Sequence, residues 1–156
     1  MDRTLERWQI ACHVSAVGPR DDPVASFFVI VLLSDVVRIG LAVVMTVSGM
    51  SHFVAPRPYV QHLPDAVPFR GELVLITGVM ELALAAGLIG PRRFRRPTGI
   101  ALAAFLVLVF PANIYAAVSQ QPIDGVPTGW LRWARLPFQV PLIVGAIWST
   151  RQSERR

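Results

Sequence analysis

The chain has 156 residues, of which 53% are hydrophobic and only 16% charged, with a formal net charge of +5 and a mean hydropathy of +0.50. That is too apolar for a soluble domain with a wet surface, and the fifteen basic residues, all arginines, gather at the ends of apolar runs, which suits topology signals and lipid headgroups rather than nucleic acid. The single cysteine, Cys12, excludes an internal disulfide, a C-x-x-C redox pair and a cysteine zinc set.

Residues 1–23 are polar and mixed in charge, lack the uninterrupted apolar core of a cleavable signal peptide, and read as a cytoplasmic tail. The apolar run 24–33 meets Asp35 and Arg38; it either extends a first membrane span at about 36–54 or lies on the membrane surface. Residues 55–69 carry Pro56, Pro58, Pro64 and Pro68, a spacing that predicts an external loop without regular helix. A second span, about 70–89, is closed by Gly90 and Pro91. Arg92, Arg93, Arg95 and Arg96, ending at Pro97, predict a short cytoplasmic loop by the positive-inside tendency. The third span, about 98–118, contains Pro111 and Asn113, and the stretch after it holds Pro122, Gly125 and Pro127. A fourth span, about 134–148, precedes a basic tail at 151–156. The expected fold is all-α, a four-transmembrane-helix bundle over residues 24–150 in a bacterial inner membrane with both termini cytoplasmic. Tyr59, Trp130 and Trp133 fall in its outer aromatic belt, Phe94 and Trp148 in the inner one. Small residues four apart, such as Ala83 with Gly87 and Gly99 with Ala103, favour close helix packing.

Glu81 stands inside the apolar run 73–89, where a carboxylate is costly unless it is paired, protonated or beside water. At a rise of about 1.5 Å per residue it lies about 18 Å into its span, whereas His52, Asn113 and Gln139 fall about 6 to 8 Å below the outer boundary, with Arg135 one turn above Gln139. Glu72 points away from Glu81 on the same helix, since residues nine apart face opposite sides at about 100° per residue. Glu81 is therefore assigned to the interior, with Thr77, Gly78 and Ala85, and Glu72 to the lip. Arg38, Met45, Ser48 and His52 form one stripe on the first helix, expected to face inward.

Four short segments carry a resemblance: Gly49-Met50-Ser51-His52-Phe53 followed by Pro56, Gly78-Val79-Met80-Glu81-Leu82, Phe110-Pro111-Ala112-Asn113-Ile114-Tyr115, and Arg135-Leu136-Pro137-Phe138-Gln139. In order and spacing they resemble the DoxX family of small four-helix membrane proteins, over about residues 35–148. The resemblance implies the four-helix fold and a link to membrane redox complexes, the family taking its name from a subunit associated with a thiosulfate:quinone oxidoreductase. Most members have no established activity. Residues 1–23 extend beyond the family pattern.

On this basis His52, Glu81, Asn113, Arg135 and Gln139 are expected to line a polar cavity that takes a quinone-like or other small polar-headed ligand. His52 and Glu81 are the groups able to exchange protons; Asn113 and Gln139 can hydrogen-bond a carbonyl, and Arg135 can stabilise developing negative charge. With no redox cofactor motif in this sequence, electrons for such a ligand come from another subunit of a membrane assembly. The same residues also fit a purely structural part, because interhelical hydrogen bonds in membranes contribute about 0.6 to 2 kcal/mol each; the chain is then an assembly or stability factor. A small-molecule carrier is the third class, against which stands the lack of visible inverted repeats. No metal is assigned: His52 lacks a second axial partner for haem, and His62 with Asp65 makes an incomplete site.

Overall fold

Five helices follow one another in this computed structural model, which describes residues 23–119 and 129–152: α1 Pro23–Val54, α2 Pro56–Gln61, α3 Arg70–Ile89, α4 Arg92–Val118 and α5 Trp130–Gln152. No strand occurs among the described residues. Val24–Val54, Arg70–Ile89 and Arg92–Val118 are each long and apolar enough to cross a bilayer, and no more than 33% of any of their apolar windows is buried. Surface of that length and apolarity suits the hydrocarbon of a bilayer. The chain is an all-helical membrane protein. The tails at 1–22 and 153–156, with Cys12 and His13, and the stretch 120–128 lie outside the described residues.

The chain divides into two units, residues 1–30 and 31–156. The described part of the first is the start of α1, whose apolar side chains from Val24 to Ile30 are exposed; Phe27 and Phe28 meet edge to face at 6.4 Å. Residues 24–33 therefore continue the first span as helix. At 32 residues α1 is about 48 Å long, against a hydrocarbon core of about 30 Å.

Two sequence expectations are corrected. The proline-rich stretch 55–69 does support a helix, the six-residue α2, because Pro56 occupies its first turn, where the missing N–H has no intrahelical partner to lose and the fixed φ suits a helix start. The four-arginine segment is the first turns of α4 rather than a loop. Phe94 N–H donates to Pro91 O at 2.9 Å and Arg95 Nε to Gly90 O at 3.1 Å, so the connection between α3 and α4 shrinks to Gly90 and Pro91. Pro97 sits inside α4 and costs it one backbone hydrogen bond near its solvated end.

Within the second unit the buried positions repeat at intervals of three and four, with Ala42 beside Leu41: Ser34, Arg38, Leu41, Met45, Gly49 and His52 on α1, and Val74, Gly78, Glu81, Ala85 and Leu88 on α3. This is the seam that lets helices pack at a shallow angle. Leu41, Met45, Ala85, Leu88, Leu102, Phe105, Leu106 and Ala146 join in one core, contributed by all four long helices. Flanking positions on α1 such as Val36, Val43, Val47 and Val54 are exposed. Apolar residues lie on both faces of each span, so packing is decided by small side chains and polar groups rather than by hydrophobicity.

Gly99 shows how tight that packing is. A Cβ there would stand 2.7 Å from the Ala146 carbonyl oxygen and press on the Thr150 side chain across the α4–α5 contact. Gly99→Val is expected to cost about 1 to 3 kcal/mol through overpacking, read as a lowered midpoint in thermal unfolding of the detergent-purified protein. Gly40→Ala, where nothing lies within 4 Å, should leave the midpoint unchanged or raise it, since alanine is the better helix former by about 1 kcal/mol.

Candidate functional site

The backbones of α1 and α3 approach closely at two glycines. A Cβ on Gly49 would lie 3.0 Å from Gly78 O, and one on Gly78 would lie 2.8 Å from His52 Cβ and 3.2 Å from Gly49 O. Three residues after each glycine comes a polar group on the same face, His52 on α1 and Glu81 on α3. Both are buried, at 6% and 8% exposure. Side chains in a helix lean toward its N-terminus. Because α1 runs toward the 55–69 connection and α3 away from it, the His52 ring leans inward and Glu81 leans back toward it. The lean closes the depth difference expected from the sequence.

His52 Nδ1 lies 2.7 Å from Val74 O and 3.2 Å from Thr77 Oγ1, while Thr77 Oγ1 donates to Val74 O at 2.8 Å. A carbonyl only accepts, so Nδ1 carries the proton and Nε2 is turned to Glu81. Nε2 stands 3.9 Å from Glu81 Oε2, beyond hydrogen-bonding distance. Glu81 Oε2 is buried with no hydrogen-bond partner. An oxygen so placed calls for a proton, a water or a ligand atom.

A short polar stack closes the pair off on the side of the 55–69 connection. Tyr59, on α2, lies over the His52 ring with centroids 3.8 Å apart. Ser51 donates to Ser48 O at 2.6 Å, so its hydroxyl accepts the short hydrogen bond from the Tyr59 OH. His62 stacks beyond Tyr59 at 6.3 Å. Its Nδ1–H donates to Pro58 O at 2.6 Å, and its Nε2 accepts from Arg135 Nη1 at 3.3 Å. The contact with Arg135 requires the neutral ring, whereas the bond to Pro58 is made by either form. Burial, more than the neighbouring Arg135 and Arg132 charges, holds the His62 pKa below its usual 6.5, against the opposing hydrogen bond to Pro58.

The five residues singled out in the sequence thus fall into three places. His52 and Glu81 meet between α1 and α3. Asn113 and Gln139 meet between α4 and α5, where Asn113 Nδ2 donates to Gln139 Oε1 at 3.2 Å and Gln139 Nε2 donates to Leu106 O. That carbonyl precedes by one residue the one that Pro111 leaves without its helical donor. Arg135 is exposed and turns to His62. Glu72 is exposed at the start of α3 and lines a groove with α2. Asp65 pairs with Arg70 rather than with His62, and no group of three or more metal-ligating side chains occurs among the described residues.

Several participants went unnoticed in the sequence. Tyr59 was assigned only to an interfacial belt, and the α2 turn that carries it over His52 was read as loop. Arg132 is 2% exposed and reaches Ala116 O at 3.4 Å; its spacing of seven from Gln139, and of seven more to Ala146, is the signal that marks it as inward-facing. Arg38 Nη1 donates to Leu88 O at 2.7 Å and Nη2 to Asp35 at 2.9 Å.

A family model described as a domain of unknown function (DUF8561) matches residues 41–150, and the chain belongs to that family. The matched segment contains all five residues above. No curated protein and no solved structure matches the chain.

The His62 contacts carry a pH dependence. With its folded pKa below 6.5, the unfolded chain binds more protons between those values, so the stabilisation is complete above pH 6.5 and declines as pH falls through the unfolded and then the folded value. The thermal midpoint in detergent should drop between about pH 7.5 and 5.5, and His62→Phe should flatten that slope while leaving Tyr59 a ring to stack on. An equal slope in the variant would assign the dependence to another group.

Proposed function

We propose that this DUF8561 protein crosses a bacterial inner membrane four times, with both termini cytoplasmic, as a subunit of a redox-linked assembly, and that it receives the head group of a quinone-like or other small polar ligand at His52 and Glu81. The observation that carries the reading is the buried, unpartnered Glu81 Oε2 facing His52 Nε2 across 3.9 Å. Ionisable groups held inside a membrane are costly and by default functional. The four segments resembling the DoxX family favour the same class and the fourth crossing. So does α5, whose 23 residues reach about 35 Å with Phe138, Val140 and Val144 exposed. The arginines of the α4 start and Arg151 then share the cytoplasmic side.

In this arrangement His52 and Glu81 hand protons to, or take them from, the oxygens of the head group. Converting a quinone to its quinol consumes two protons and two electrons, and the electrons come from a partner subunit. Arg135, exposed beside His62, would attract an anionic head group. Asn113 keeps its carbonyl oxygen for a ligand. For Gln139 a structural part is the better fit, since both ends of its amide already bond Asn113 and Leu106.

The test is binding of a short-chain ubiquinone or menaquinone analogue to protein in nanodiscs, followed by tryptophan fluorescence. Glu81→Gln and His52→Ala should each weaken binding at least roughly tenfold, the loss expected for a buried charge-assisted hydrogen bond, and Glu72→Gln should bind as the native protein does. Glu81→Gln that expresses normally and binds unchanged would reject the proton-handling role.

A further inference from the structure

A second place on the surface is built to hold a different molecule. Between α2 and the start of α3 runs an open groove of about 550 Å³, walled by Pro56, Val60 and Leu75, with Arg57, Gly71 and Glu72 also on its lining. Nothing lies within 4 Å of where a Gly71 Cβ would be, so a side chain at this lining position would enter open space. Arg57 and Glu72 are both exposed, and neither forms an ion pair or side-chain hydrogen bond among the described residues. The groove therefore offers one free cation and one free anion above an apolar wall.

Depth fixes what can meet that pattern. Arg70 is the first residue of a membrane-spanning helix, so Arg57, Gly71 and Glu72 lie at headgroup level. Leu75 follows one turn further in, and Ile76 and Val79 continue along the exposed side of α3, a track for an acyl chain. We propose that the groove binds one zwitterionic phospholipid with a primary ammonium, of the phosphatidylethanolamine type: Arg57 meets the phosphate, Glu72 accepts hydrogen bonds from the ammonium, and a chain runs down past Leu75. Guanidinium suits phosphate through its paired donors. Glu72 distinguishes headgroups, because a quaternary choline ammonium has no N–H to give and a phosphatidylglycerol has no cation. This site is separate from the His52–Glu81 pair and does not depend on what that pair binds.

Native mass spectrometry of the full chain, released from nanodiscs of equimolar phosphatidylethanolamine, phosphatidylcholine and phosphatidylglycerol, tests it. One ethanolamine lipid should be retained over choline lipid by roughly three- to fivefold, the scale of a partly exposed charge pair. Glu72→Gln should bring the two to parity. Arg57→Gln should lower retention of all three, and Gly71→Phe, which fills open space, should expel lipid while leaving the thermal midpoint intact. Equal retention of ethanolamine and choline lipids by the native protein would overturn the assignment, as would an ethanolamine preference that survives Glu72→Gln, a preference for phosphatidylglycerol, or lipid retained undiminished by Gly71→Phe.

Discussion

The close approach of α1 and α3 at Gly49 and Gly78 is the constraint on which the polar interior rests. With either glycine replaced by a larger residue the helix backbones would have to part, since a Cβ added at either position would stand within about 3 Å of the facing helix. Parting them would take His52 away from Val74 O, Thr77 and Glu81 together. In lipid no hydrophobic force would restore the contact, because acyl chains solvate apolar surface as well as a neighbouring helix does. Close backbone contact and hydrogen bonds supply what burial supplies in water. The site and the packing are therefore one feature.

Buried charge is handled here by helix ends. Arg38 reaches Leu88 O in the last turn of α3, and Arg132 reaches Ala116 O in the last turn of α4. Final-turn carbonyls lack intrahelical donors and carry the negative end of the helix dipole, so a guanidinium there satisfies two needs with one side chain. Arg38 divides its guanidinium between such a carbonyl and the Asp35 carboxylate. That leaves Glu81 as the buried acid whose Oε2 has been given no partner, and it sets Glu81 apart from the groups that hold the helices together.

Composition and hydropathy made the membrane-spanning helices legible, and the bounds 70–89 agree with α3 residue for residue. Periodicity also separated Glu72 from Glu81, because angular position along a regular helix needs only sequence spacing. What depended on local exceptions was harder to read. Prolines usually interrupt helices, and only their position in the first turn made α2 possible. Tyr59 could not be placed over His52 without that turn. Arg132 fell outside a fourth span drawn from about 134, whereas the helix begins at Trp130, although its heptad spacing from Gln139 pointed inward. Convergence of all five polar residues was expected from depth, helix face and the family resemblance together. Depth along separate helices says nothing about which helices adjoin, and the structure pairs α1 with α3 for His52 and Glu81, and α4 with α5 for Asn113 and Gln139.

The bond from Arg38 to Leu88 O joins residues fifty positions apart, and it bears on how the chain enters the bilayer. When α1 has been synthesised and α3 has not, Arg38 has only Asp35 for company in a setting where an incompletely satisfied guanidinium is expensive. The last turn of α3, for its part, would reach the membrane with its carbonyls unmet. Each helix thus completes the other's solvation, and the two are better delivered to lipid as a hairpin than in succession.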